Sequence, residues 1–205
     1  MSEPFDEPAA YRGDIIVGLK FVPPDSGHNS SGNISLRKFS KSSIKTSTKG
    51  ALHVLVKEAK NLMPVKANGT CDAFCKSYLL PEKSRSSKRK TDVIKRTVNP
   101  VWNHTIVYED VTLQELSERA LELTIWDHDR LASNEFLGGV RFSLGTVRVF
   151  IGGNACGKHY GKPVEWMDAT GKELSLWQSM LNRPNFWVEG CLVLRSSIDT
   201  ARNSL

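Results

Sequence analysis

The stretch LELTIWDHDRLASNEFLGGVRF, residues 121–142, admits few folds. It reads as a strand, an acidic loop carrying Asp127 and Asp129, and a second strand starting near Glu135. On extended backbone, side chains two positions apart point the same way. Asp127 and Asp129 therefore form a hard-oxygen pocket of the kind Ca²⁺ prefers. Other segments decide whether that pocket is completed.

The rest of the chain is built from similar runs. DIIVGLKFV (14–22) is β-rich and ends at Pro23-Pro24, and ALHVLVKEA (51–59) alternates Leu52, Val54 and Val56 in the period of a half-buried strand. DAFCKSYLL (72–80) closes at Pro81, residues 88–98 have strand character, and Asn99-Pro100 turns the chain into WNHTIVY (102–108). WVEGCLVLR (187–195) is a final strand. Thr112 and Glu115 have capping-box spacing, which predicts a short helix over 113–119 with Leu113 and Leu116 inward. Thr170 and Glu173 make a second box, and the helix beyond it sets Leu174, Trp177 and Leu181 on one face before Pro184. About eight strands with short helices in the connections predict an all-β fold, an eight-stranded antiparallel β-sandwich.

A chain of 205 residues suits one domain, placed over 13–196 with tails at 1–12 and 197–205. Residues 25–50, rich in Ser, Gly, Lys and Asn, read as a long mobile loop, with serines beside basic residues in RKFSKSSIK. Residues 145–163 are glycine-rich but include the apolar run VRVFI (147–151). Cys71, Cys75, Cys156 and Cys191 lack metal spacing, and a pair within one strand lies too far apart to bridge, so all four are expected as reduced thiols.

Charge is concentrated. Lys83, Arg85, Lys88, Arg89, Lys90, Lys95 and Arg96 face only Asp92 within residues 83–96. That segment alone carries +6, the formal charge of the whole chain. Near an anionic leaflet each such side chain contributes about 1 kcal/mol. A solvated face or an acidic protein surface would use the same pattern. Nucleic acid is not expected, because aromatic residues are not interleaved with the cations. No apolar run is long enough to cross a bilayer, and the N-terminus lacks the regions of a signal peptide, which points to the cytoplasm. His53, His104, His128 and His159 have no nucleophile at catalytic spacing, His28 lies in the 25–50 loop, and no phosphate loop is present, so an enzyme is not expected.

LHVLVKEAKNL, NGTCDAFCKSYLLP, KRKTDVIKRTVNPVWNHT and LELTIWDHDRLASNEFLGG, in that order, resemble a C2 domain over roughly residues 13–195. The late EWMDATGKELSLWQSMLNRPNFWVEGCLVLRSS is similar to the end of the second C2 domain of the synaptotagmin-like proteins. This resemblance implies a sandwich with Ca²⁺ and lipid loops at one end and a polybasic strand on the side. It implies phosphatidylserine and phosphoinositide as ligands, SNARE-type exocytic proteins as further partners, and a peripheral place on plasma or secretory-vesicle membrane. Ca²⁺-binding members supply two Asp from one loop and three from a later one. Here the corresponding positions hold Lys66 and Asp72, then Asp127, Asp129 and Glu135. Lys66 removes a carboxylate and brings an ammonium, so no cofactor is implied beyond weak Ca²⁺. The expectation is that Lys66 neutralises the loop aspartates, or else points to solvent. GTVRVFIGGNACGKHYG exceeds the short connection of relatives, so residues 146–160 read as an insertion: an added strand at 147–151, a splice variation or a floppy loop. The Rab-binding region and first C2 domain of that architecture are not in this sequence, so Rab binding is not expected of this segment, which reads as one domain of a larger protein. The function expected is a mainly Ca²⁺-independent lipid-docking module in vesicle trafficking or exocytosis; the alternatives are a weak Ca²⁺ sensor and a docking module for exocytic proteins.

Overall fold

Alternation of apolar residues produces the strands. The computed structural model describes residues 10–24, 49–145 and 164–198. In β1 (Asp14–Val22) Ile15, Val17, Leu19 and Phe21 turn inward, and in β2 (Gly50–Lys60) Leu52, Val54 and Val56 do the same. β3 (Ala73–Leu80), β4 (Arg89–Lys90), β5 (Val101–Val111), β6 (Ala120–Asp127), β7 (Glu135–Phe142) and β8 (Val188–Val193) complete the set. One sheet has the order β5-β2-β1-β8 and the other β4-β3-β6-β7, every pair antiparallel. The chain is thus an eight-stranded antiparallel sandwich, as its sequence pattern predicts. Leu123, Ile125, Val140 and Phe142 of the second sheet face Val17, Leu19 and Val54 of the first across one core.

Two helices close the end of the sandwich remote from the 61–72 and 128–134 loops. In α1 (Leu113–Ser117) both halves of the capping box form, Glu115 N–H to Thr112 Oγ1 at 3.1 Å and Thr112 N–H to Glu115 Oε2 at 2.7 Å. Leu116 is buried and Leu113 packs against the core. In α2 (Gly171–Asn182) the helix forms but the box does not, since Thr170 makes no side-chain cap. The Glu173 carboxylate instead accepts from the Arg141 backbone N–H and pairs with Arg195. The buried face accordingly runs through Glu173, Trp177 and Met180, with Leu174 and Leu181 only half-buried. Trp177 Nε1 donates to Leu116 O at 3.2 Å and locks the helices together.

The strand expected over 88–98 is shorter. Only Arg89 and Lys90 pair in register with Ser77 and Lys76, and a single bridge joins Ala73 to Ile94. Between them the buried Thr91 exchanges its own N–H with Cys75 O at 3.0 Å and accepts Cys75 N–H on Oγ1 at 3.0 Å, so a side chain takes over a ladder position. Arg96, at φ +56°, then turns the chain out of the sheet. The expected 25–50 loop up to residue 48, the 147–151 strand, the whole 146–160 insertion and Cys156 lie outside the described residues. Cys71, Cys75 and Cys191 are free thiols.

Candidate functional site

The site begins with a tight turn in the loop between β2 and β3. Gly69, at φ +69°, donates its N–H to Lys66 O at 3.1 Å, a conformation that costs glycine nothing. Asn68 Oδ1 accepts both the N–H and the hydroxyl of Thr70 and braces the turn. It delivers Lys66 onto the end of β6. Lys66 Nζ lies 2.8 Å from Asp127 Oδ1 and 3.7 Å from Asp72 Oδ2, and donates to His128 O at 3.0 Å. Asp127, only 1 % exposed, also accepts Asp72 N–H on Oδ1 at 2.8 Å, while its Oδ2 is buried without a hydrogen-bond partner among the described residues. Asp72 Oδ1 accepts Arg96 N–H at 2.9 Å and ties the basic segment to this end. The bond to Asp127 holds the Lys66 ammonium above the usual lysine range, partial desolvation opposes it, and attraction to Asp127, Asp72 and Asp129 adds.

Asp129 works differently. Its Oδ1 accepts Leu131 N–H at 2.8 Å and Ala132 N–H at 3.1 Å, and those bonds, helped by Lys66, hold its carboxyl below the usual range. Glu135 opens β7 opposite Asp127 in register, is exposed, and makes no ion pair among the described residues. Lys66 therefore gathers Asp72 and Asp127 but not Glu135. Among the described residues no three His, Cys, Asp or Glu side chains come together to hold a metal. Three apolar residues project from the same loops: Met63, Val65 and Leu131, the last 99 % exposed.

The basic residues divide. Lys83 Nζ sits 2.6 Å from Glu122 Oε1, and Arg141 Nε lies 3.0 Å from Glu122 Oε2, so Lys83 neutralises a carboxylate only 1 % exposed. Arg85 lies in an exposed turn, Lys88, Arg89 and Lys90 line the outer edge of the second sheet, and Lys95 and Arg96 are exposed near the acidic loops. None of these six enters an ion pair among the described residues. Lys76, which the sequence pattern left as an ordinary strand residue, belongs with them. Its Nζ stands 3.9 Å over the Trp126 ring and 5.6 Å from Phe74. Burial, then Lys88, Lys83 and Lys90, push its ammonium below the usual lysine range. Lys76, Tyr78, Thr124, Trp126 and Phe136 line a groove of about 460 Å³. A larger cavity of about 580 Å³ lies between the 82–89 turn and β5. Glu82 and Glu109 stand among its lining residues, Glu82 pairs with Arg119 at 3.9 Å, and Arg119 also donates to the Leu79 and Leu80 carbonyls.

A sandwich of this order, with acidic loops at one end and a basic edge strand, is matched over residues 50–159 by the family model described as the C2 domain. The chain belongs to the C2 domain family. It is 39% identical to mouse (Mus musculus) Synaptotagmin-like protein 2 over 184 residues, 90% of this chain and 16% of that protein. With mouse Synaptotagmin-like protein 1 it shares 38% over 187 residues, 91% of this chain and 28% of that protein. The chain thus spans a minor part of each relative. The solution structure of the third C2 domain of the KIAA1228 protein shares the fold, with TM-score 0.51 at 23% identity over 69% of this chain and 82% of that one.

In this C2 domain the signals for Lys66, Asp72, Asp127 and the basic run were local in sequence. Lys76 was missed because its neighbours across the sheet, Lys90 and Thr124, are 14 and 48 positions away. The alternation of 73–80 assigns Lys76 to the outer face, and that was the only signal available. Met63, Val65 and Leu131 were legible as apolar residues within loops, outside any strand period. No helix among the described residues is long and apolar enough to cross a membrane.

Proposed function

We propose that this C2 domain is a non-catalytic module that docks on anionic membrane, mainly without Ca²⁺, in vesicle trafficking. Phosphatidylserine and phosphoinositide headgroups are its ligands, and it acts peripherally on the cytosolic face of plasma or secretory-vesicle membrane. The observation that carries this reading is the cluster of Lys76, Lys88, Arg89 and Lys90 along one sheet edge, unpaired by any carboxylate among the described residues, in which burial first and then Lys88, Lys83 and Lys90 depress the Lys76 ammonium. An anionic headgroup relieves that repulsion. Six or seven cations at about 1 kcal/mol each supply useful peripheral affinity. Arg85, Lys95 and Arg96 extend the contact toward both ends, whereas Lys83 serves Glu122 first. Met63, Val65 and Leu131 rest their apolar tips in the headgroup region.

The loops take a resident ammonium in place of a metal. Ca²⁺ needs about six to eight oxygens, and here Lys66 Nζ already occupies Asp127 Oδ1 while Glu135 stays outside the pair. Lys66 sits where a second cation would be repelled. A weak Ca²⁺ sensor built on Asp72, Asp127, Asp129 and Glu135 would first have to displace it. A protein-docking role toward SNARE-type machinery would use the same basic face.

Quantitative sedimentation with vesicles of phosphatidylcholine, with and without phosphatidylserine and phosphatidylinositol bisphosphate, tests the reading in Ca²⁺ and in chelator. Binding should require the anionic lipids, differ little with Ca²⁺, and fall at least tenfold in a Lys88→Glu, Lys90→Glu variant. Unchanged binding by that variant would end the proposal. Strict Ca²⁺ dependence would favour the sensor.

A further inference from the structure

We infer that Ser86 is a phosphoacceptor for a basophilic protein kinase, and that its phosphorylation releases the domain from anionic membrane. The second half rests on the docking function proposed above. The turn between β3 and β4 holds three serines, and the structure separates their roles. Ser84 and Ser87 hold the turn closed: Ser84 N–H donates to Ser87 Oγ at 2.9 Å and Ser87 N–H to Ser84 Oγ at 3.1 Å. Ser87 Oγ also reaches the carbonyls of Glu82 and Ser84. A phosphate on either would break the turn that presents it. The Ser86 hydroxyl is exposed, and its sole side-chain partner among the described residues is Ser84 Oγ at 2.9 Å. It can leave that bond at little cost, because the Ser84–Ser87 pair persists without it.

The surroundings suit both a kinase and a switch. Lys83, Arg85, Lys88, Arg89 and Lys90 all lie within four positions of Ser86, a density of cations that an acidic substrate groove recognises. In the transfer, the Ser86 oxygen forms a bond to the γ-phosphorus of ATP and the bond to the β–γ bridging oxygen breaks. ADP leaves, and the hydroxyl proton passes to the kinase's base. The product is a dianion, or nearly so, whose oxygens match nearby guanidinium groups. Arg89 is already in place, its Nη1 donating to Ser86 O at 3.2 Å. With about two negative charges added, the +6 of residues 83–96 falls to about +4. Peripheral binding should weaken by roughly 10- to 30-fold.

The test uses the full 205-residue chain and its Ser86→Ala variant, each incubated with ATP and the catalytic subunit of a basophilic kinase. Mass spectrometry maps the sites, and sedimentation with phosphatidylserine and phosphatidylinositol bisphosphate vesicles reads affinity before and after. Comparing the two chains isolates Ser86 from serines modified elsewhere. The expected result is phosphate on Ser86 and a loss of affinity in the parent that Ser86→Ala escapes. Absence of phosphate on Ser86 in the folded chain overturns the acceptor assignment. Equal affinity of the Ser86-phosphorylated and unmodified chains overturns the switch. If the unmodified chain ignores anionic vesicles, the docking function fails and the switch with it, while the mass spectrum still decides the acceptor.

Discussion

Replacing Lys66 with alanine tests whether an ammonium holds the two acidic loops together. The substitution removes the donor at 2.8 Å from Asp127 Oδ1 and the bond to His128 O. Asp127, 1 % exposed in the parent and with Oδ2 unpartnered among the described residues, keeps one hydrogen bond, from Asp72 N–H. Stranding a buried charge costs about 3–5 kcal/mol. The Lys66 side chain is 30% exposed, so water replaces part of what the ammonium supplied, and a loss of about 2 kcal/mol is expected. For a domain of this size that corresponds to a fall in Tm of about 4–8 °C. Calorimetry in chelator measures it. Adding Asp127→Asn to Lys66→Ala should cost less than the two singles combined, because the charge that needed a partner is gone. A Lys66→Asp, Glu135→Asp variant should gain a Ca²⁺-dependent rise in Tm that the parent lacks. The pH dependence follows from the two shifts. The raised Lys66 ammonium stabilises the fold fully at neutral pH and loses its effect only as pH climbs through its elevated value. The depressed Asp129 carboxyl contributes above the ordinary carboxylate range and loses its effect as pH falls through its lowered value. A Lys66→Ala chain melting within 1 °C of the parent (about a quarter of the smallest expected fall), or micromolar Ca²⁺ binding by the parent, would refute this account.

Lys76→Met should move two observables in opposite directions: vesicle affinity falls about fivefold, while Tm holds or rises, because burial and neighbouring cations disfavour the charged form in the folded state. Glu122→Gln should cost about 2–3 kcal/mol in denaturant unfolding, since Lys83 and the buried Arg141 both lose the charge they face; a loss under about 0.5 kcal/mol would mean the pair is surface-like. Among the three described cysteines, iodoacetamide at pH 8 should modify the exposed Cys191 first. Burial pushes Cys71 up to about 11 and Cys75 up to about 12, leaving them as unreactive thiols until the chain unfolds, and early labelling of either would contradict their burial.

Much of this domain was legible before its structure. Period-two alternation in 14–22 and 51–59 located β1 and β2, and the Thr112/Glu115 box formed as its spacing predicts. The Thr170/Glu173 box has the same local signal and failed, because Arg195, twenty-two positions on, offered Glu173 a stronger charged partner than a backbone cap. Residues 88–98 carry strand-like composition, yet Thr91 and Arg96 divert the backbone after two paired residues. Local pattern favours a strand there, and long-range hydrogen bonds decide how much of it pairs.

Two things followed from the sequence alone, the sandwich and the segments that bear charge, since strand periodicity and residue type are properties of neighbours along the chain. The fate of each charge did not follow. WDHD supplied the oxygens, but only folding set Lys66 against Asp127 from a loop sixty-one positions earlier. Seven basic residues lay in one segment, but folding assigned Lys83 to Glu122 and brought Lys76 into the group from β3. Electrostatic interaction depends on distance and desolvation in space, and both are created by strand pairing within a sheet and by the packing of the two sheets.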